Sequence, residues 1–256
     1  MGYRGRVRRD TTPPTTLTGR DQLLAATGDH PFARLTTAGQ DVRPFRGHGA
    51  VAWIARRSRG SVIAAVGDPD DAARLVADLA DRGELSEVRR VNVPRIDHAT
   101  LTTRLPVTGH ADDWDFRWTR IPPSTQPAQQ RVRRLGDADF LEIEALLERA
   151  FPGTSTRPGD PDVRRWYGVR DDGRLVACGA DRSRNGVGSI SAIAVDRHAR
   201  GQGLGAALTA TMAQEILTDC EVVSLGVLTD NHRADRLYRR LGFTDVSSRT
   251  SASLAG

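Results

Sequence analysis

A strand pattern that leads through alternating glycines into a helix pattern constrains the fold of this chain more than any other feature. Residues 189–195 alternate in the manner of a half-buried strand, and residues 203–219 carry an apolar stripe at helical spacing. That stripe consists of Leu204, Leu208, Met212 and Ile216. Between the two elements, residues 200–205 read Arg-Gly-Gln-Gly-Leu-Gly. Such a junction predicts an α/β protein in which a helix closely follows a sheet strand.

The glycines at this junction indicate a binding site for an anion. Gly201 and Gly203 have no Cβ, so backbone N–H groups can come close to a bound ligand. The unpaired N–H groups of the first helical turn and the helix dipole attract phosphate oxygens, and Arg200 adds positive charge. The sequence therefore predicts a pyrophosphate-binding loop, and the simpler alternative is a glycine-rich turn without a ligand.

A dinucleotide-binding fingerprint is another interpretation of the same residues. Gly201, Gly203 and Ala206 satisfy the G-x-G-x-x-A spacing, and Asp230 follows at a plausible distance. In dinucleotide folds the strand leads directly into the first glycine, whereas residues 196–200 intervene here. The motif also lies near the end of the sequence, with no room for the remaining βα units. Both observations weigh against this alternative.

A second pattern decides between these interpretations. Residues 229–243 read Thr-Asp-Asn-His-Arg-Ala-Asp-Arg-Leu-Tyr-Arg-Arg-Leu-Gly-Phe, which places Asn231 before a helix pattern and Tyr238 within it. Together with the loop at 200–205, this stretch resembles the GNAT superfamily of acyl-CoA-dependent N-acetyltransferases. The resemblance covers roughly residues 131–246. It implies a GNAT fold for the C-terminal half, which is an α/β (α+β) mixed sheet.

The resemblance also implies a cofactor and the residues that bind it. Acetyl-CoA would serve as the acyl donor, and no metal is expected. Backbone groups of residues 193–195 would pair with the pantetheine arm, the loop would bind the pyrophosphate, and Asn231 would contact the pantetheine region. The implied cofactor-binding residues are Ile193, Ala194, Val195, Arg200, Gly201, Gln202, Gly203, Leu204, Gly205, Ala206 and Asn231.

Tyr238 matches the residue that frequently acts as general acid in this family. In the implied reaction an amine attacks the thioester directly in a ternary complex, and a phenol beside the sulfur can donate a proton to the departing thiolate. Tyr238 could instead be a core aromatic next to Leu237 and Leu241. Asn231 could be a simple helix cap, or it could both cap the helix and contact the cofactor.

The sequence departs from one part of the family pattern. Family members that acetylate protein N-termini of the ribosomal type tend to carry a Glu on the strand before Asn231, and the aligned residue here is Gly226. The glycine removes an obvious general base and weakens the hypothesis of protein acetylation. A base is needed because a protonated amine cannot attack. Asp181, Glu144 or a chain of waters could fill the role, and spacing supports none of them.

The segment after the first helix of this half usually lines the acceptor pocket in this fold. It corresponds to residues 151–166. Its candidate substrate-binding residues are Ser155, Arg157, Arg164 and Trp166. The two arginines could bind a substrate carboxylate. A polar surface loop is the alternative interpretation.

The domain organisation follows from a proline-rich stretch. Residues 121–130 read Ile-Pro-Pro-Ser-Thr-Gln-Pro-Ala-Gln-Gln, which is typical of an extended linker. We therefore predict a disordered leader at 1–18, an N-terminal α/β domain at 19–120, the linker, and a catalytic GNAT domain at 131–256.

The N-terminal domain has the pattern of a degenerate copy of the same fold. Strand, strand, helix and strand patterns occupy 49–56, 61–66, 68–82 and 87–93. The helix begins Asp-Pro-Asp-Asp at 68–71, which places three carboxylates at the positive end of its dipole and removes one backbone amide. We therefore expect no CoA binding by this half. An unrelated α/β cap is the alternative.

Composition excludes several other classes of protein. The net charge of +5 suits an anionic cofactor, but the arginines are scattered and accompany no nucleic-acid-binding module. No apolar run approaches the ~18 residues of a membrane span. Two isolated cysteines, Cys178 and Cys220, indicate a reducing cytoplasm rather than a disulfide framework. Nucleic acid and membrane are thus not expected partners.

The leading hypothesis is an N-acetyltransferase that acts on the amine of a small molecule. The first alternative is an enzyme that acylates protein or peptide amines, or that transfers a longer acyl chain. The alternative from another class is a non-catalytic acyl-CoA-binding regulatory module. The sequence leaves open the acceptor, the acyl length and the oligomeric state.

Overall fold

The computed structural model describes residues 13–37, 41–56 and 60–255. The helices are α1 (Gly19–Ala26), α2 (Pro31–Thr36), α3 (Pro69–Asp81), α4 (His98–Arg104), α5 (Phe140–Ala150), α6 (Leu204–Ile216) and α7 (His232–Arg240). The strands are β1 (Thr15–Thr16), β2 (Val42–Gly47), β3 (Ala50–Ala55), β4 (Ser61–Val66), β5 (Val88–Pro94), β6 (Val107–Thr119), β7 (Val132–Leu135), β8 (Arg165–Asp171), β9 (Arg174–Asp181), β10 (Val187–Val195), β11 (Val222–Leu228) and β12 (Asp245–Leu254). This order confirms the predicted mixed α/β class.

The chain forms two compact units that do not follow the sequence in simple order. Among the described residues, 13–114 and 248–255 form the first unit, and 115–247 form the second unit. We had placed all of residues 131–256 in one domain, but most of β12 belongs to the first unit. The reason is that β12 pairs antiparallel with β5, from Arg249↔Pro94 to Ser253↔Arg90. The domain boundaries remain predictions, because compactness does not by itself show independent folding.

The first unit contains a mixed sheet in the strand order β1-β2-β3-β4-β5-β12. Strands β2, β3 and β4 pair antiparallel, and β5 lies parallel to β4 after the crossover helix α3. Asp68 caps α3, because its Oδ1 accepts hydrogen bonds from the N–H groups of Asp70 (2.9 Å) and Asp71 (3.3 Å). Pro69 occupies the first helical position. Both features are typical of the first turn of a helix.

The second unit repeats this connectivity. Its strand order is β6-β11-β10-β9-β8-β7, with β8, β9 and β10 antiparallel and β11 parallel to β10 after the crossover helix α6. The β8–β9 hairpin turns at Asp172 (φ 45°) and Gly173 (φ 78°), at the predicted position. The shared order of antiparallel strands, crossover helix and parallel strand confirms a GNAT-like arrangement in both halves.

Helices cover both faces of the second unit's sheet. On one face the predicted stripe of α6 is buried, with Leu204, Leu208, Met212 and Ile216 each at most 3% exposed. On the other face α5 packs through Ile143, Leu146 and Leu147 against Cys178. Burial raises the pKa of the Cys178 thiol to about 12, as expected for a core residue.

The N-terminal leader changes from the expectation. Residues 1–12 of the predicted leader lie outside the described residues, whereas Thr15 and Thr16 form β1 and pair with Arg46 and Phe45. No helix in the described parts of the chain has the length and apolar character needed to cross a membrane.

Candidate active site

Strands β10 and β11 separate at the centre of the second unit's sheet. Their registered parallel pairs run from Val187↔Val222 to Ile190↔Leu225, and both strands continue beyond the last pair. The β10–β9 register shifts between Ser191 and Ala194, and Ala192 has a positive φ of 52°. A bulge of this kind bends one strand away from its partner. The predicted pantetheine-pairing residues Ile193, Ala194 and Val195 therefore lie in the part of β10 that no longer pairs with β11.

A short connection joins the end of β10 to the glycine loop. A short 3₁₀ turn (Arg197–Ala199) leads into Arg200, whose Nε donates to the carbonyl oxygen of Val195 (3.2 Å). Gly201 (φ 87°) and Gly203 (φ 76°) both adopt left-handed backbone conformations that favour glycine. A Cβ built at either position would meet no heavy atom of the chain within 4 Å. The open side of the loop can thus accept a ligand.

The loop is anchored by the buried side chain of Asp196. Its carboxylate accepts from the backbone N–H of His198 (3.2 Å) and lies near Arg174 (3.4 Å) and Arg149 (3.5 Å). The hydrogen bond from His198 and these guanidinium groups lower the pKa of Asp196. A carboxylate that stays ionised fixes the turn that carries the loop.

The N-terminus of α6 has the features of an anion-binding site. No side chain caps its first turn, and that turn contains no acidic residue. Helix α3 differs in both respects, because Asp68 caps it and its first turn contains Asp70 and Asp71. The positive end of the α6 dipole is therefore not neutralised by the chain itself. Gln202 is exposed in the loop, Leu204 is buried, and Gly205 and Ala206 are half-buried in the first turn.

Helix α7 carries the two predicted polar residues and contacts α6 at Gly205. Asn231 caps the helix, since its Oδ1 accepts from the N–H of Ala234 (3.1 Å). A Cβ on Gly205 of α6 would lie 3.5 Å from Cδ2 of Leu237, so the two helices touch next to Tyr238. The cap predicted for Asn231 is confirmed, and its cofactor contact stays a prediction.

Tyr238 is 7% exposed and is the buried residue of α7. Its ring packs against Phe243 in a T-shaped arrangement, with centroids 6.3 Å apart. Burial raises the pKa of its phenol to about 12. The hydroxyl makes no hydrogen bond with any of the residues that the structure describes, although a buried phenol normally has a partner. Tyr238 therefore lies in the core and still has a hydroxyl that no described residue engages.

The structure separates the four candidate substrate residues. Arg164 and Trp166 line a groove of about 310 Å³ between α5 and the start of β8, together with Asp137, Phe140 and Val163. Trp166 is buried, and its indole N–H has no hydrogen-bond partner among the described residues. The groove thus has apolar side chains in its wall, whereas the indole N–H of Trp166 is itself buried and does not face solvent.

Arg157 and Ser155 do not line that groove. The guanidinium of Arg157 lies 3.0 Å from Glu148 and 3.7 Å from Glu144 of α5, and it donates to the carbonyl of Pro152 (2.9 Å). Ser155 is exposed in the same loop. Arg157 is therefore engaged with the chain's own carboxylates, which sequence spacing could not show.

The candidate general bases are also engaged. Asp181 is buried at the end of β9, and its Oδ1 accepts from both the N–H (2.8 Å) and the hydroxyl of Ser183. Glu144 is paired with Arg157. Gly226 is exposed on β11 and has no side chain, so this position provides no general base. Sequence analysis missed the hydrogen bond between Thr156 and Ser191 (3.0 Å), which ties the loop after α5 to the bulge.

In the first unit, Arg249 occupies the place that corresponds to the gap between β10 and β11. Registered pairs of β4 and β5 end at Ala64↔Asn92. The buried guanidinium of Arg249 donates from Nη2 to the carbonyl oxygens of Ala65 (2.7 Å) and Asn92 (2.9 Å). One side chain of β12 thus bridges the two strands where they would otherwise part.

Fold and loop together define the class of protein. A GNAT-family acetyltransferase from Novosphingobium aromaticivorans matches the chain with a TM-score of 0.58 and 24% identity, over 90% of this chain and 95% of that one. The likeness shows that the fold is that of GNAT acetyltransferases.

Sequence comparison identifies the family. The acetyltransferase (GNAT) family profile matches residues 132–243. An uncharacterized N-acetyltransferase of Methanocaldococcus jannaschii is 33% identical over 123 residues, which are 44% of this chain and 78% of that protein. The chain belongs to the GNAT family of acyl-CoA-dependent N-acetyltransferases, as the resemblance implied.

Other relatives carry a more specific name. A mycothiol acetyltransferase of Corynebacterium kroppenstedtii is 38% identical over 203 residues, which are 75% of this chain and 52% of that protein. The chain spans between 52% and 65% of the length of the relatives with this name.

Proposed function

We propose that the protein transfers the acetyl group of acetyl-CoA to the amine of a small molecule, with Tyr238 as general acid. The observation that carries the proposal is the meeting of three features in the second unit. The first is the gap between β10 and β11, and the second is the uncapped N-terminus of α6 with its left-handed glycines. The third is the hydroxyl of Tyr238, which makes no hydrogen bond with a described residue.

In this proposal each part of the site has one task. Bound acetyl-CoA would supply the thioester. Residues 200–206 hold its pyrophosphate through backbone N–H groups, and Arg200 adds positive charge. The freed backbone of Ile193, Ala194 and Val195 orients the pantetheine arm, with Asn231 on the side of α7.

The pKa of Tyr238 determines the direction in which it can move a proton. A phenol with a pKa of about 12 stays protonated at neutral pH and throughout the range in which amines lose their proton. Tyr238 can therefore donate a proton to a leaving thiolate but cannot act as the base that deprotonates the acceptor. Its low exposure also excludes water from the donor.

The groove beside α5 is the proposed acceptor site. Register pairs Trp166 with Ala180, and Ala180 with Ser191, so Trp166 lies level with the bulge and two strands from β10, about 10 Å away. The exposed Arg164 in this groove suits an acceptor that carries a carboxylate. The relatives named mycothiol acetyltransferase support a small-molecule acceptor.

We further propose that each chain binds one acetyl-CoA. In the first unit, Arg249 fills the space between β4 and β5, and the capped, acidic N-terminus of α3 would repel a pyrophosphate. Calorimetric titration with CoA is expected to give one site per chain. Two equivalent sites would contradict this assignment.

The decisive experiment measures thiol release from acetyl-CoA across a library of small amines and peptides. Once an acceptor is found, Tyr238→Phe should lower turnover by about 10²-fold, with little change in acetyl-CoA affinity. Tyr167→Phe is the matched control, because Tyr167 is also buried in the second unit but donates to Glu215 (2.9 Å). Its turnover should stay near that of the unaltered protein.

The outcomes separate the competing functions. Full turnover in Tyr238→Phe would make this residue a core aromatic only. Activity confined to peptide amines would replace the small-molecule acceptor with a protein one. Tight CoA binding without turnover on any acceptor would favour a regulatory acyl-CoA-binding module.

A further inference from the structure

A buried arginine outside the site contacts the helix that carries Tyr238. Arg117 lies on the part of β6 that belongs to the second unit and is 8% exposed. Its Nε lies 2.7 Å from Oδ1 of Asp235 on α7. Its Nη1 donates to the carbonyl oxygen of Phe243 (3.4 Å), and its Nη2 donates to Asp115 (3.3 Å). Neither sequence motif includes Arg117.

These contacts hold α7 on both sides of Tyr238. Asp235 lies one helical turn before Tyr238, so both side chains occupy neighbouring positions on one face of α7. Phe243 follows the helix, and its ring packs against the ring of Tyr238. Arg117 therefore fixes the turn before Tyr238 and the residue against which its ring rests.

Helix α7 depends on such contacts because it buries little apolar surface. Its nine residues include four exposed arginines, Arg233, Arg236, Arg239 and Arg240, and Tyr238 is the residue that it buries. The hydroxyl of Tyr238 has no hydrogen bond with a described residue that would fix it locally. The position of the hydroxyl is thus set by the position of the helix.

We infer that Arg117 is a positioning residue for acetyl transfer, which acts through Asp235 and Phe243 to hold the hydroxyl of Tyr238 at the reacting sulfur. The inference rests on the proposed function, because it needs Tyr238 to act as the acid. A misplacement of about 1 Å at a reacting group can cost up to ~10²-fold in rate. Arg117 does not touch the loop at 200–205 in this arrangement, so cofactor affinity should be spared.

The test is a double-mutant cycle between Arg117 and Tyr238. Arg117→Met is expected to lower kcat by about 10-fold or more and to change the KM for acetyl-CoA by less than about 3-fold. In the Tyr238→Phe background, the same substitution should lower kcat by less than about 2-fold further, because the acid is already absent. Arg117→Lys should recover part of the lost rate, since an ammonium can still reach Asp235.

Arg170→Met is the matched control for loss of an ion-pair network. Arg170 lies on β8 in the same unit, 2.6 Å from Asp139, just before α5, and 2.7 Å from Glu142 on α5. Like Arg117 it has two carboxylate partners, but neither of them is on α7. Its substitution should reduce stability and leave kcat unchanged in the folded protein. If Arg117→Met does not fold, Asp235→Asn tests the same contact from the more exposed side.

Each result decides the inference. A kcat unchanged in folded Arg117→Met would overturn it, and so would equal losses in the presence and absence of the Tyr238 hydroxyl. A fully active Tyr238→Phe protein with a slow Arg117→Met protein would refute both the acid role and positioning through it. A slow Tyr238→Phe protein with a fully active Arg117→Met protein would refute the inference alone.

Discussion

Gly203→Ala tests whether the loop at the N-terminus of α6 binds the cofactor. Gly203 has φ 76° and Gly173, in the β8–β9 turn, has φ 78°, and a Cβ at either would meet no atom within 4 Å. An alanine in this left-handed conformation costs about 1–2 kcal/mol. Both Gly203→Ala and Gly173→Ala should therefore lower the free energy of unfolding by the same amount, measured by chemical denaturation.

Only one of the two variants should lose affinity for CoA. The methyl group on Gly203 enters space that the chain leaves open and that the pyrophosphate would need, so calorimetry should show a loss of at least about 10-fold, or ~1.4 kcal/mol. Gly173→Ala should bind CoA as tightly as the unaltered protein. Equal affinity in both variants would refute the assignment of the loop. NADH binding of similar strength would support the dinucleotide alternative instead.

Further predictions concern residues that report on stability and capping. Burial, with a smaller contribution from Arg249, lowers the pKa of His30 to about 4, so the unfolded chain binds a proton that the folded chain does not between pH 6.5 and 4. The free energy of unfolding should fall by about 1–3 kcal/mol as the pH drops through this window, and less in His30→Asn, as urea titrations can measure. Arg249→Met leaves the oxygens that it bridges without a donor and should cost about 3–5 kcal/mol in the same assay; unchanged stability would refute the buried bridge. Asn231→Ser should keep the cap of α7 and its stability but weaken CoA binding in calorimetry, whereas unchanged affinity would leave Asn231 as a cap alone.

The sequence predicted features that depend on residues a few positions apart. The apolar stripe of α6 has helical spacing, and the structure confirms that it is buried. Gly201 and Gly203 were expected to let a ligand come close because they have no Cβ, and the structure adds that both have left-handed conformations in which other residues are strained.

The sequence did not predict which distant residues pair with one another. The position of β12 beside β5, and the bridge that Arg249 makes to Asn92, join residues 157 positions apart, and the alternation of a strand does not name its partner. Arg157 was a candidate for substrate binding because sequence spacing does not show that its side chain folds back onto Glu148 of α5. The contact between Arg117 and Asp235 could not be predicted, because the two residues lie far apart in the sequence.

Because β12 pairs with β5, the sheet of the first unit can be completed only after the second unit has been synthesised. A ribosome releases β5 before it makes residues 248–255, so the sheet of the first unit lacks one strand until those residues have been synthesised. All residues of the second unit are made before that strand, which reverses the usual sequence in which the N-terminal part folds first. During this interval β5 is an unprotected edge, which is the kind of surface that chaperones shield and that promotes aggregation. Nascent chains halted before residue 248 should therefore be cleaved by protease in the first unit and resist it in the second.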